Sequence, residues 1–132
     1  MTKKNQNAQD LKGKHGLQRL MNAFAYSADG FKAAFGSEQA FRQECYLAII
    51  GIPLAFFLPV TLSQSLALSV SILFLMIVEL LNSAIESAID RIGMEIHPLS
   101  KKAKDVASAA VLCACATCAL TWAVILFDAF LL

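Results

Sequence analysis

Two long stretches of this chain carry almost no charge, and they restrict its fold more than any other feature. No Lys, Arg, Asp or Glu occurs from Tyr46 to Val78, and after Asp105 the only charged residue is Asp128. Hydrophobic residues make up 58% of the chain and charged residues 16%, against about 45–50% and about 25% in soluble domains. A soluble core of this length cannot bury so much apolar surface, which predicts an all-α membrane protein.

The polar N-terminal region divides into a tail and a helix. Residues 1–15 lack apolar periodicity, which predicts a disordered tail before a single domain over residues 16–132. No apolar core follows the basic start, so we expect no signal peptide to be removed. Residues 17–35 repeat apolar side chains at helical spacing and predict an amphipathic helix that lies in the membrane interface.

Three membrane spans are predicted, over residues of about 38–62, 65–92 and 101–132. Ser37 is expected to cap the first span, and residues 61–65 are expected to form a tight external turn.

The positive charges orient these spans. All eleven Lys and Arg residues precede Cys45 or lie between Arg91 and Lys104. The positive-inside rule then predicts a cytoplasmic N-terminus, a cytoplasmic second loop and a C-terminus outside. A net charge of +1 favours no nucleic-acid partner, and we expect none.

A polar stripe interrupts the second span. Glu79, Asn82, Glu86 and Asp90 are separated by three, four and four residues. They therefore occupy an arc of about 80° on one helix face and roughly 16 Å of its axis. A carboxylate at the centre of a membrane helix costs about 2.5–3.5 kcal/mol, so the stripe indicates an ion, proton or substrate site.

The stripe contains the residue types that phosphoryl transfer requires. Carboxylates bind Mg²⁺ with phosphate oxygens, a desolvated carboxylate accepts a proton, and nearby lysines balance phosphate charge. The chain has neither a Walker loop nor a protein-kinase signature, so kinase chemistry would have to be built on helices.

The chain resembles the bacterial diacylglycerol kinases in four segments, AYSADGFKAAF, EQAFRQE, MIVELLNSAIESAIDRIG and SKKAKDVASAAV. The resemblance extends from residue 19 to about residue 126. It departs from the family at Ala28-Asp29, where an aromatic and a basic residue are expected.

The resemblance implies a homotrimeric enzyme of the bacterial cytoplasmic membrane that uses Mg²⁺ and ATP to phosphorylate diacylglycerol. Glu79 would be the general base, and Glu38 and Glu86 would hold the metal. The implied nucleotide contacts are Arg19, Tyr26, Glu38, Glu86, Glu95, His97, Lys104 and Asp105. The implied lipid contacts are Arg19, Ala23, Ser27, Arg42, Gln43, Glu44, Glu79 and Ser108. Asn82 would support the acidic cluster, and Asp90 would either pair with Arg91 or Lys104 or act directly.

Two other functions remain open at this point. An undecaprenol kinase would share the chemistry but phosphorylate a different lipid alcohol. A small oligomeric ion or proton channel would line its pore with the stripe, although Leu66 to Val78 offers no polar continuation toward the outer end.

Overall fold

The computed structural model describes residues 16–93, Glu95 and residues 97–131, and the tail predicted for residues 1–15 lies outside them. Four helices follow one another along the chain: α1 (Leu17–Ser37), α2 (Gln39–Phe57), α3 (Leu62–Ile92) and α4 (Pro98–Leu131). The described residues contain no strand, and the predicted all-α class is confirmed.

Helix α1 belongs to a compact unit that ends at Gly36, and the other three helices form a second unit from Ser37 onward. The apolar side chains of α1 are largely uncovered, with Leu17 73% and Phe24 70% exposed. An uncovered apolar face on an otherwise polar helix is what the spacing of these residues predicts for an amphipathic helix.

Three helices are long and apolar enough to cross a membrane, namely Gln39–Phe57, Leu62–Ile92 and Pro98–Leu131. Large apolar side chains remain exposed along all of them, including Phe57 on α2, Leu66 on α3 and Leu112 on α4. Such surface is unfavourable in water and favourable in lipid, so the chain is a multi-pass membrane protein. The predicted number of three membrane helices is confirmed, although the first ends at Phe57 and not near residue 62.

Helix α3 is the central helix of the second unit and packs against both α2 and α4. Its buried side chains recur at spacings of three and four residues, at Ser65, Leu68, Ile72, Leu75 and Glu79. This spacing keeps them on one face, which we call the α3 seam. Glu79 is therefore the last buried position of an otherwise apolar or hydroxyl-bearing seam.

Helix α2 approaches α3 closely at Gly51. A Cβ atom at this position would lie 2.8 Å from Cδ1 of Ile72 and 3.7 Å from Cζ2 of Trp122. Ile72 is fully buried, so its side chain has little room to move away. A small residue here lets the two helices pack closely, as small residues commonly do in membrane bundles.

We expect Gly51→Val to destabilise the fold by about 1–3 kcal/mol, because the added methyl groups overpack the contact with Ile72. Thermal unfolding in detergent would measure the loss. Gly30→Val is the matched control, since a Cβ atom at Gly30 meets nothing within 4 Å. Ile72→Val removes Cδ1 and should recover part of the loss in the double variant; no recovery would contradict the contact.

The connection between α2 and α3 differs from the predicted one. Helix α2 ends at Phe57. Leu58 is extended because the proline that follows it, Pro59, disfavours a helical backbone at the residue before it. The predicted turn over residues 61–65 is wrong, since α3 starts at Leu62. Thr61 accepts a hydrogen bond from the Gln64 backbone N–H at 3.2 Å, and the Gln64 side chain accepts one from the Thr61 N–H at 2.9 Å. This reciprocal capping box starts α3.

Capping at the other predicted site also differs. Ser37 is the last residue of α1, and Glu38 takes the N-cap position of α2 without a side-chain capping bond. The Ser37 hydroxyl instead donates to Glu38 Oε1 at 3.3 Å.

Candidate active site

The polar stripe continues the α3 seam without a break, because Glu79, Asn82, Glu86 and Asp90 keep the same spacing. Exposure rises along it. Glu79 is 4% exposed, Asn82 and Glu86 are half-buried, and Asp90 is exposed. One helix face thus carries carboxyl groups whose environments range from buried to solvent-exposed.

Helix α2 brings two more carboxyl groups to this end of α3. Glu44 is 8% exposed and Glu38 is half-buried. Glu44 is buried on α2 together with Phe41, Gly51 and Ala55, and Glu38 is the N-cap residue of the same helix. The family resemblance implies only a lipid contact for Glu44, whereas its spacing from Phe41 and Gly51 puts it on the buried face of its helix.

The two helices bring their carboxyl groups within electrostatic range of each other. Glu79 interacts with the charges of Glu38 and Glu86, and Glu44 interacts with that of Glu79. We call Glu38, Glu44, Glu79 and Glu86 the carboxylate cluster. Like charges repel strongly when water is excluded, so such a cluster requires a proton, a cation or a ligand hydroxyl as compensation.

Two oxygen atoms around the cluster have unused hydrogen-bonding capacity. Oε2 of Glu44 and Oδ1 of Asn82 are buried and find no partner among the residues that the structure describes. The Asn82 amide donates to Glu86 Oε1 at 3.3 Å, which holds that carboxylate on the helix face. Unpaired buried acceptors are costly, and a bound hydroxyl donor would remove that cost.

A cavity of about 260 Å³ lies where α3 passes into α4. Its polar lining comprises Asp90, Glu95, His97, Ser100, Lys101 and Lys104. Of the predicted nucleotide contacts, Glu95, His97 and Lys104 meet here, whereas Asp105 accepts a hydrogen bond from Lys101 at 2.5 Å.

His97 immediately precedes α4 and caps it. Its Nδ1 atom accepts a hydrogen bond at 3.2 Å from the backbone N–H of Leu99, the second residue of the helix. This bond caps an otherwise unpaired donor of the first turn. Only Nε2 is left for a ligand, so the imidazole has both a structural atom and a free one.

Removing this cap should loosen the start of α4. We expect His97→Ala to destabilise the first turn by about 1 kcal/mol and to speed exchange of the Leu99 amide, while His97→Asn keeps it protected. Hydrogen exchange measures both variants. The Gln64 amide, capped by Thr61 at the start of α3, is the internal control. Equal exchange of Leu99 in both variants would contradict the cap.

Three other predicted contacts of the second unit belong to neither the cluster nor the lining of the cavity. Arg42 is half-buried and Gln43 exposed on α2, and Ser108 is exposed on α4. Four more belong to α1, where each is exposed, namely Arg19, Ala23, Tyr26 and Ser27.

The cluster suits a metal that arrives with a phosphate ligand. In the described part of the chain, no group of three or more His, Cys, Asp or Glu side chains is arranged to hold a metal by itself. Mg²⁺ is typically bound by one or two carboxylates, with water and substrate phosphates completing its shell. Glu38 and Glu86 are half-buried, are both within range of Glu79, and fit that donor set.

The fold and the site together define a multi-pass helical membrane protein whose carboxylates and lysines meet at one end of its bundle. The chain belongs to the prokaryotic diacylglycerol kinase family, whose model matches residues 25–126. A diacylglycerol kinase of Pseudomonas aeruginosa is 50% identical over 116 residues, which cover 88% of this chain and 94% of the relative. Relatives of the same name from Haemophilus influenzae and Escherichia coli K12 are 49% and 44% identical, covering 85% and 87% of this chain and 95% and 94% of theirs.

Proposed function

We propose that this chain is a lipid kinase that transfers the terminal phosphoryl group of ATP to the free hydroxyl of diacylglycerol. The hydroxyl oxygen forms a bond to phosphorus, the bond to the bridging oxygen of ADP breaks, and the hydroxyl proton passes to a carboxylate. The products are phosphatidic acid and ADP. Family membership supports this reaction, and the burial of Glu79 is the structural observation that carries it.

Glu79 is our proposed general base. It sits where the apolar part of the α3 seam meets the polar part, and we propose that the lipid headgroup meets the helix at this level. A carboxylate that is 4% exposed is poorly hydrated, which suits it to accept a proton rather than to bind water. Glu44, which is buried on the facing helix, would contact the same lipid headgroup, whose single hydroxyl proton goes to Glu79.

The nucleotide would approach from the wetter end of the stripe. Lys104 and His97 line the cavity there, and both present nitrogen donors to phosphate oxygens. Glu38 and Glu86 would hold Mg²⁺ with those phosphates, and the ion would neutralise the charge that develops on them. From α1 we propose Arg19 and Tyr26 as further nucleotide contacts, with Ala23 and Ser27 beside the lipid.

The direct test is a phosphorylation assay. Purified protein in mixed micelles, given Mg²⁺ and ATP labelled at the terminal phosphate, should label diacylglycerol far faster than undecaprenol. Label mainly on undecaprenol would contradict the acceptor, and label on neither alcohol would contradict the kinase. A channel would need a polar path along α3, but Leu68, Ile72 and Leu75 bury apolar side chains on the seam.

We further propose that the enzyme is a homotrimer of the bacterial cytoplasmic membrane with its N-terminus inside. The distribution of Lys and Arg supports this orientation, and the exposed apolar faces of α2–α4 leave room for helix partners. Sedimentation corrected for bound detergent would give the mass of the assembly. Thiol labelling of single cysteines placed at either terminus would give the orientation.

A further inference from the structure

Asp90 is an acid in an unfavourable place. Helix α3 ends at Ile92, so Asp90 lies in its last turn. The unpaired carbonyl groups there carry partial negative charge and oppose a carboxylate. Asp90 is also exposed, so no packing requirement explains it.

Its partner is a lysine from the next helix. Lys104 Nζ donates to Asp90 Oδ1 at 2.5 Å, across the loop that joins α3 to α4. The two side chains are 40% and 62% exposed for Lys104 and Asp90, respectively. Ion pairs this exposed contribute little to stability, so the pair is poorly explained as a tie between the helices.

The pair does determine where the ammonium group lies. An unrestrained lysine samples many rotamers, because its amine ends a flexible four-carbon stem. Here the Lys104 amine is held beside Asp90, within electrostatic range of Glu86, and both Lys104 and Asp90 line the 260 Å³ cavity. The ion pair therefore keeps the amine at the cavity.

We propose that Asp90 is a positioning residue that holds the Lys104 ammonium where it meets the phosphates of the nucleotide. This inference rests on the proposed kinase function and deepens it, because it assigns a role to an acid that we place at neither the metal nor the lipid. Pre-placing the charge lowers the ordering cost when the nucleotide binds.

Asp90→Asn keeps the shape of the side chain and removes its charge. Assayed as the full chain in mixed micelles, it should raise KM for MgATP by about five- to tenfold and change kcat little. Asp90→Glu restores a carboxylate and should recover part of the affinity. Asp128→Asn is the matched control: Asp128 is also an exposed acid bonded to another helix, through Gln64 at 3.2 Å, but at the far end. The KM of Asp128→Asn for MgATP should equal that of the wild-type chain.

A double-mutant cycle decides whether Asp90 acts through Lys104. In a Lys104→Met background, Asp90→Asn should cause almost no further loss. The proposal would be overturned if Asp90→Asn weakened MgATP binding as much in the Lys104→Met background as in the wild-type chain. It would also be overturned if Asp90→Asn left KM for MgATP unchanged, or if Asp128→Asn raised that KM as much as Asp90→Asn does. Equilibrium binding of a non-hydrolysable ATP analogue gives the same comparison without a lipid acceptor. A chain that binds the analogue in this pattern but phosphorylates no diacylglycerol would therefore contradict the proposed function and leave the role of Asp90 supported.

Discussion

Glu79→Gln is expected to lower kcat by about 10²–10⁴-fold, the contribution typical of a general base. Glutamine has the same shape but cannot accept the proton of the lipid hydroxyl. Water cannot easily replace it, because the side chain is 4% exposed. KM for MgATP should stay nearly unchanged, since the nucleotide is expected to bind nearer the wet end of the stripe. Steady-state kinetics in mixed micelles measure both constants.

Glu44→Gln provides the matched comparison, because the same substitution is made in a buried carboxyl on the facing helix. It should raise KM for diacylglycerol and lower kcat by a smaller factor than Glu79→Gln does. If the two variants show the reverse order, the base is Glu44 and our assignment of Glu79 is wrong. Unfolding midpoints of both variants would establish that the fold is retained.

Glu86→Gln should remove a ligand of the metal–nucleotide complex and lower kcat/KM by about 100-fold or more, since such metal stabilisation contributes several kcal/mol. The Mg²⁺ concentration needed for half-maximal rate should rise as well. Glu38→Gln should behave in the same way, because we propose that it shares the ion from α2. Titrating Mg²⁺ at fixed ATP measures the shift.

Asn82→Ala tests whether these effects come from the ligand or from its surroundings. The Asn82 amide donates to Glu86 Oε1 at 3.3 Å. Asn82→Ala should therefore raise the Mg²⁺ concentration needed for half-maximal rate, but by less than Glu86→Gln does. An unchanged Mg²⁺ requirement in both Glu38→Gln and Glu86→Gln would contradict the proposed metal ligands.

Much of the fold follows from local patterns. The uncharged stretches predict the three membrane helices, and the spacing of Glu79, Asn82 and Glu86 predicts one polar face on α3. The capping box of Thr61 and Gln64 was also readable as Thr-x-x-Gln, although the predicted turn overlooked it. Pro59 likewise accounts for the early end of α2.

Contacts between helices are harder to predict from the sequence. Asp90 had two candidate partners in the sequence, the adjacent Arg91 and the more distant Lys104, and its hydrogen bond goes to Lys104. Glu44 and Glu79 are far apart along the chain, and nothing in their local sequences states that their charges interact.

By itself, the sequence determined that this chain crosses a membrane three times and that one helix carries a carboxylate stripe. Both properties follow from the cost of placing each side chain in lipid and from the 3.6-residue helical repeat, which are local quantities. Only the tertiary structure decided which carboxylates share a site and which lysine Asp90 holds. Those choices depend on how each helix is rotated against its neighbours, and close approaches such as that of Gly51 to Ile72 set that rotation.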